Sequence, residues 1–364
     1  MVIEKAEILN FRNISRTSLR PSPGVNVFTG DNAQGKSSML EALALLSNGR
    51  SFRTRRDSEM ISHGSDFSSV SAEMSDGMTS YEIRATIARR GDGAAKNMFL
   101  GEKRIGSLSE FVGKIGNTVF SGGDVLIITG PPSERRSFAD RMLSSSSREY
   151  MQTLRGLSEL LRQKNSMLRA GSFSAGLMDV LNEQIGYRAA YVSAERGRAA
   201  EMLSEKASEI YGSLFGGGED LSVSYAPDIP VSGTCREESG RGILAALQAA
   251  LPEERRAGTA LRGPQRDDFS ISLGGRSART SASRGQQRLA AMSLKLAEGL
   301  ILAEKLEAEP IIFMDDCFSE LDEKRQGRLM EHLSGRGQVF LTSTTLPRDC
   351  RGAEEHRVEN GETT

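Results

Sequence analysis

The segment Gly30-Asp31-Asn32-Ala33-Gln34-Gly35-Lys36-Ser37 fits the phosphate-loop pattern G-x-x-x-x-G-K-[ST] at every fixed position. Before it, Val25-Asn26-Val27-Phe28-Thr29 has the β-branched and aromatic content of a buried strand. After it, Met39, Leu40, Leu43 and Leu46 recur at helical spacing. The chain is therefore expected to be an α/β protein built on a strand–loop–helix unit. Two glycines let the backbone curl so that successive N–H groups and the helix N-terminus point at phosphate oxygens. Lys36 supplies a full charge for the β and γ phosphates, and Ser37 a hydroxyl for Mg2+. Residues 30–37 thus imply a bound nucleotide.

Composition narrows the class. The chain has 364 residues, 47 Lys+Arg against 48 Asp+Glu and a net charge of −1, so no global field draws it to nucleic acid or membrane, and any basic footprint is local. Cys235, Cys317 and Cys350 lie far apart without a C-x-x-C pair, which argues against zinc and a disulfide framework and for reduced thiols. Glu4, Lys5 and Glu7 precede any apolar run, so no signal peptide is read, and no run approaches the roughly 18 apolar residues of a membrane span. A cytoplasmic protein without membrane partners is expected. The lack of Trp and an aromatic content of 5% disfavour single-strand binding by base stacking.

Along the chain, Val2–Leu9 alternates like a half-buried strand. Arg50, Arg53, Arg55 and Arg56 then crowd a short segment after the loop's helix. They read either as phosphate or DNA contacts or as an exposed solubilising turn. From Ser68 to Leu100 the pattern is a turn-punctuated antiparallel meander, and the apolar run Val125–Ile128 ends at Gly130-Pro131-Pro132. Beyond it the spacing predicts a long helix. Leu154, Leu161 and Leu168 occupy one heptad position, and Leu143, Tyr150 and Leu157 its partner. Arginines 141, 148, 155, 162 and 169 form an outward stripe, read as a phosphate track or as a solvated face. With a second helical stretch from Ala175 to Phe215, residues 133–215 form an antiparallel helical hairpin. The expected division is 1–130 for the N-terminal part of a head, 131–255 for a helical arm and 256–364 for the C-terminal part of the head.

Two later segments corroborate the loop. Ile311-Ile312-Phe313-Met314 followed by Asp315-Asp316 reads as a buried parallel strand delivering two carboxylates at its carboxyl end. Asp315 is placed to hold Mg2+ and Asp316 to orient an attacking water. Ser283-Arg284-Gly285-Gln286-Gln287-Arg288 opens a strong helix. It reads as an ordinary helix cap, and it also resembles the ABC signature, a resemblance that implies Ser283, Gly285 and Gln286 present donors to a γ phosphate held by a second subunit. Ser319-Glu320-Leu321-Asp322 is similar to the D-loop that crosses such a dimer interface.

The order of these segments, with most of the chain and a helical hairpin between Lys36 and Asp315, resembles the SMC-like ABC ATPases of DNA repair, and within them the RecF family. The resemblance runs over nearly the whole length: Leu9-Asn10-Phe11-Arg12-Asn13, Ser51-Phe52-Arg53-Thr54, Pro132-Ser133-Glu134-Arg135-Arg136-Ser137-Phe138, Gly263-Pro264-Gln265-Arg266-Asp267-Asp268, Gly285-Gln286-Gln287-Arg288 and Asp315-Asp316. It departs from the family where Ala33 replaces Gly, Gln265 replaces His and Arg284 replaces Gln. It also departs at Phe120–Asp124, which lacks Pro-Glu. Ala33 is tolerable if its φ is negative.

The resemblance implies an ABC-type P-loop ATPase head with an inserted antiparallel helical-hairpin arm. It implies ATP and Mg2+ as cofactors, an ATP-dependent homodimer around two nucleotides, and a clamp on double-stranded DNA at gaps. The implied partners are RecR-like and RecO-like proteins and, indirectly, RecA. Asp316 in place of a Glu, and Thr342-Ser343-Thr344 without a switch His, imply slow hydrolysis that times release. Two other readings compete: an SMC-like scaffold with a structural nucleotide, and a transporter-coupled ATPase, against which the hairpin and the missing His argue.

Overall fold

The computed structural model describes residues 1–106, 115–171, 173–216, 218–230, 236–319, 321–346 and 352–363. They fall into two compact units, one built from Met1–Asp124, Ile210–Gly217 and Ala291–Thr364, the other from Val125–Glu209 and Gly218–Ala290. The first unit opens with β1 (Val2–Phe11), β2 (Ile14–Leu19), β3 (Val25–Thr29), α1 (Lys36–Asn48), β4 (Phe67–Ser75), β5 (Ser80–Arg90), β6 (Gly93–Leu100), β7 (Lys103–Ile105) and β8 (Asn117–Phe120). The second contains α2 (Leu126–Thr129), α3 (Pro132–Ser146), α4 (Arg148–Ala170), most of α5 (Ala175–Ile210), β9 (Leu221–Ala226), α6 (Arg236–Ala257), β10 (Asp268–Leu273), β11 (Arg276–Ser277), α7 (Ala278–Ser281) and the first turns of α8 (Arg284–Leu306). The chain then rejoins the first unit for the rest of α8, β12 (Ile311–Met314), α9 (Glu323–Leu333), β13 (Val339–Thr342), β14 (Glu354–Glu359) and β15 (Glu362–Thr363).

Two sheets make the first unit. The antiparallel one has the order β2-β1-β4-β5-β6-β7 and contains the expected meander. The other has the order β15-β14-β3-β13-β12-β8 and is parallel except for the terminal β14–β15 pair. Strands β3, β12 and β13 are buried along their whole length, which is why their sequences run apolar instead of alternating. Helix α1 is buried at every position from Ser38 to Leu46, so it is apolar nearly all round, with Ser38 and Glu41 the buried polar exceptions. Its Met39, Leu40 and Leu43 share one core with Ile8, Val70 and Ile83 of the antiparallel sheet and Phe28, Phe313 and Phe340 of the parallel one. Each such side chain contributes about 1.5–3 kcal/mol by leaving water.

In the second unit the long helix expected before the arm's tip is two helices. Ser147 has φ −137° and ψ 112°, and its side chain caps α4 by accepting from the Tyr150 N–H. Tyr150, Leu157 and Leu168 are buried as the heptad requires, whereas Leu154 and Leu161 are half-buried. The next place in the row of Tyr150 and Leu157 is taken by Lys164, fully buried against the equally buried Glu254 of α6 at 2.7 Å. A charge at a seam position is tolerated there only because its partner goes into the core with it.

The division at 255/256 is corrected by strand pairing. β10 runs antiparallel to β9 from Asp268 opposite Ala226 to Leu273 opposite Leu221, so residues 256–290 belong with the helices of the second unit. The first boundary also moves, from 130 to 124, because Leu126–Thr129 is a helical turn that packs on α3.

Candidate nucleotide site and signature segment

In the first unit the loop 30–37 leaves the carboxyl end of β3 and enters α1. Gly30 has φ 136° and Gly35 φ 116°; a Cβ on Gly30 would stand 2.4 Å from the Val358 carbonyl oxygen and force β14 to move, and one on Gly35 would crowd Asn13 Nδ2 and Gly361 Cα at 3.3 Å in a backbone conformation that favours glycine. Ala33 also has positive φ, 68°, so the negative φ under which alanine would be tolerated without strain is not met. An alanine there carries strain of about 1–2 kcal/mol that glycine would not. The Asn13 amide donates to the Ala33 carbonyl at 3.2 Å and helps hold this turn.

Lys36 Nζ donates to the carbonyl oxygens of Gly30 and Asp31 at 2.6 and 2.7 Å. Burial lowers its pKa, opposed by Asp31, Asp315 and Asp316. Ser37 Oγ donates to Asp315 Oδ1 at 2.7 Å, across 278 positions of sequence. Thr342 at the end of β13 donates to the same oxygen at 2.9 Å, and its own hydroxyl accepts the Asp316 N–H at 2.8 Å. Asp316 turns at φ 52°, and its Oδ2 accepts from Ser319 Oγ at 3.2 Å. The structure thus brings Lys36, Ser37, Asp315 and Asp316 to one end of the parallel sheet. A hydroxyl and a carboxylate in contact beside a glycine-walled turn with a lysine are the donor set that suits a Mg2+–triphosphate.

One part of this site went unread in the sequence. The β14–β15 hairpin grips the loop: the Asn360 N–H donates to Gln34 Oε1 at 2.7 Å and the Gly361 N–H to the Gln34 carbonyl at 2.8 Å. The signal was present as Asn360-Gly361 between alternating residues, a strong hairpin pattern.

The arginines after α1 separate into two kinds. Arg53 Nη1 lies 3.2 Å from Glu41 Oε2 and Arg12 forms a two-pronged pair with the same carboxylate at 2.8 and 3.0 Å. Ser51 Oγ also donates to Glu41, which is fully buried in the middle of α1. Arg53 is therefore tied to a buried carboxylate although, like Arg50, Arg55 and Arg56, it is exposed. Of the arm stripe, Arg148, Arg155, Arg162 and Arg169 are exposed, with Arg155 paired to Glu159 one turn on.

Ser283, Gly285 and Gln286 belong to the second unit, at the start of α8. The Ser283 carbonyl accepts the first helical N–H, from Gln287, at 2.9 Å, so Ser283 is the N-cap. Its hydroxyl accepts from the Gln286 N–H at 3.3 Å, and Gln286 Oε1 accepts from the Ser283 N–H at 2.9 Å. This is a reciprocal capping box, and Arg284 and Gly285 are exposed beside it. Of the expected D-loop, Ser319, Leu321 and Asp322 are described and Asp322 caps α9; Glu320 lies outside the described residues, as do Cys235 and Cys350. Cys317 is a free buried thiol.

The segments Pro132–Phe138 and Gly263–Asp268 meet in the second unit. Arg135 clasps Asp268 at 2.7 and 2.9 Å, and Arg136 donates to the Asp267 carbonyl. Asp267 also receives Arg196 and Tyr225, and Arg196 forms a second two-pronged pair with Asp140. Burial raises the Asp267 pKa, opposed by the Tyr225 hydroxyl and the Arg196 guanidinium. These motif residues thus have a structural use that the sequence left unassigned. Gln265, the departure from His, donates back to the Arg262 carbonyl at 2.6 Å.

Comparison with known proteins follows the same lines. The profile described as RecF/RecN/SMC N terminal domain matches residues 2–348. The DNA replication and repair protein RecF of Lactobacillus delbrueckii subsp. bulgaricus is 35% identical, with 95% of this chain and 91% of that protein covered. The protein of the same name from Geotalea uraniireducens is 33% identical over 98% of this chain and 97% of its own. The solved structure of the recombination mediator protein RecF-ATP in the RecFOR pathway superposes with a TM-score of 0.89 at 28% identity, covering all of this chain and 98% of that one. An Smc head bound to the C-winged helix domain of ScpA shares the fold alone, with a TM-score of 0.59 at 16% identity. Among the described residues no helix is long and apolar enough to cross a membrane. A chain matched over almost its full length by this profile and these relatives belongs to the RecF family of the RecF/RecN/SMC group.

Proposed function

We propose that this chain is an ATP-switched DNA-repair protein: it binds ATP with Mg2+ on residues 30–37, dimerises around two nucleotides and closes on double-stranded DNA at gaps. The contact of Ser37 Oγ with Asp315 Oδ1 at 2.7 Å carries the reading, because it joins the loop's hydroxyl to the strand's carboxylate where a phosphate-bound Mg2+ needs both. The relatives' names and the RecF-ATP structure support the same nucleotide and the same process. When bound, Mg2+ supplies charge neutralisation between the β and γ phosphates. Gly30 to Gly35 shape the loop, Lys36 provides the mobile cation, and Ser37 with Asp315 would hold the metal.

Ser283, Gly285 and Gln286 would complete the site of a second copy, presenting a hydroxyl and N–H groups at the positive end of α8. Asp316 would orient the water. As a short carboxylate already bonded to Ser319, it supports slow turnover, well below about one per second without DNA, as expected of a timer. RecO-like and RecR-like proteins would be its partners, with RecA reached through them.

The test is duplex retention with and without ATP for the wild-type chain and for Lys36→Ala. Retention that needs ATP and is lost in the variant is expected. Retention indifferent to both would discard the clamp and favour a scaffold with a structural nucleotide. A salt titration separates the arginines: losing Arg50, Arg55 or Arg56 should flatten the salt slope by about one unit per phosphate contact. An unchanged slope would make them a solvated turn.

A further inference from the structure

The signature segment has an anchor that no motif contains. Gln286 Nε2 donates to Glu219 Oε2 at 3.0 Å, and the other Glu219 oxygen lies 3.7 Å from Arg276 Nη2. Glu219 is itself confined. A Cβ on Gly274 would touch its Cγ and Oε1 at 3.4 Å, and the Gly274 N–H donates to the carbonyl of the adjacent Asp220 at 3.0 Å. The β10–β11 turn therefore holds this carboxylate, which lies 67 positions upstream of the glutamine it binds.

The consequence is orientational. A carboxylate accepts only, so it selects the NH2 end of the Gln286 amide and turns Oε1 toward the Ser283 N–H. With that bond made, the Ser283 hydroxyl uses its acceptor site on the Gln286 N–H and keeps its hydrogen to donate elsewhere. Were the amide reversed, oxygen would face oxygen at the carboxylate and N–H would face N–H at Ser283. Resting on the composite-site reading above, we infer that Glu219 is a positioning residue for the signature: it fixes the Gln286 amide and, through the capping box, aims the Ser283 hydroxyl at the nucleotide held by a second copy of this chain.

The experiment uses the full chain as Glu219→Ala and as Glu219→Gln, whose carbonyl oxygen still accepts a hydrogen bond without the charge. Three readouts are taken: fluorescent ATP analogue affinity at concentrations where the chain is monomeric, the chain concentration for half-maximal ATP-dependent dimerisation, and amide hydrogen exchange across 281–290. Glu219→Ala should leave monomer nucleotide affinity within about twofold, raise the dimerisation midpoint about tenfold and speed exchange at the start of α8 about tenfold, as loss of one charge-assisted hydrogen bond does. Glu219→Gln should recover most of both changes. Unchanged exchange and an unchanged midpoint in Glu219→Ala would overturn the inference, as would equal loss of monomer nucleotide binding, which marks a general structural defect. If Glu219→Ala fails to fold, Glu219→Gln decides: a midpoint and exchange rate within about twofold of wild type support a hydrogen-bonding role, and a failure to fold or a loss equal to that of monomer binding refutes it. A wild-type chain that does not dimerise with ATP defeats the composite-site reading, while the exchange measurement still decides whether Glu219 positions the segment.

Discussion

The phosphate loop and the signature segment are both short turns feeding a helix, yet they are held in opposite ways. The loop is fixed by residues from all over the first unit: Asn13 from the turn between β1 and β2, Asp315 after β12, and Asn360 and Gly361 from the C-terminal hairpin. The signature is fixed chiefly by itself, through a cap and a return bond three residues apart, with Glu219 as its distant support. A site built from long-range contacts depends on the whole sheet and fails with it. A locally capped one can loosen alone, which suits the role proposed above of meeting a second copy.

Glu41 offers the sharpest way to break this contrast. It is fully buried in α1, and Arg12, Arg53 and Ser51 all converge on it. Glu41→Ala removes the shared acceptor and leaves Arg12, with a side-chain exposure of 19%, without its partner. The expected loss is about 3 kcal/mol, discounted to the lower end of the buried-pair range because Arg53 is 42% exposed and can return to water. Urea unfolding followed in the first unit measures it, and nucleotide affinity should fall with stability. An unfolding midpoint equal to wild type would show that the triad adds nothing to the frame of the loop.

Ser283→Ala tests the other side. Loss of an N-cap should cost about 1 kcal/mol, confined to the start of α8. Thermal unfolding should change little while hydrogen exchange at 284–288 speeds up and ATP-dependent dimerisation weakens. A global loss as large as that of Glu41→Ala would remove the distinction between distributed and local support.

The same distinction governs what could be read from sequence. The loop, the buried strands β3 and β12, the meander and the hairpin of α4 and α5 follow from pattern and period, and so does the capping box, whose partners are three apart. The roles of Glu41, Glu219 and the 360–361 turn rest on contacts between distant segments, for which one sequence gives no signal of pairing. Ala33 marks the limit at a single residue. Its chemistry permits negative φ, but the grip of Asn13 and the C-terminal hairpin on the loop leaves it at 68°. The break at Ser147 was hidden because the heptad spacing continues across it, whereas the cap bond to Tyr150 is what starts the new helix.

Relief of that strain is the next effect in size. Ala33→Gly should stabilise the first unit by about 0.5–1 kcal/mol, the gain at positive φ being partly offset by the greater freedom of glycine in the unfolded chain. Its melting temperature should rise by about 2–3 °C. A fall would mean that the loop relaxes around alanine in solution.

The smallest effect concerns His356 in β14, beside the strand that feeds the loop. Asn26 Oδ1 accepts the Ser22 N–H, and the Asn26 amide nitrogen donates to three carbonyls, so the His356 Nε2 at 3.0 Å from Oδ1 must carry the hydrogen. The ring also packs on Phe28 with centroids 5.4 Å apart. Burial lowers the His356 pKa below the ordinary 6.5, with Glu354 opposing the shift. Above about pH 6.5 both folded and unfolded chains hold the ring neutral and stability is fully present. As pH falls below that value the unfolded chain takes up a proton that the folded one resists, so stability declines until the lowered pKa of the folded state is reached. The wild-type urea midpoint should therefore drop between about pH 7.5 and 5.5 by more than that of His356→Gln, which has no ring to titrate. Equal drops in the two proteins would assign the acid sensitivity to other groups, and would leave the support of the loop by the C-terminal hairpin independent of protonation.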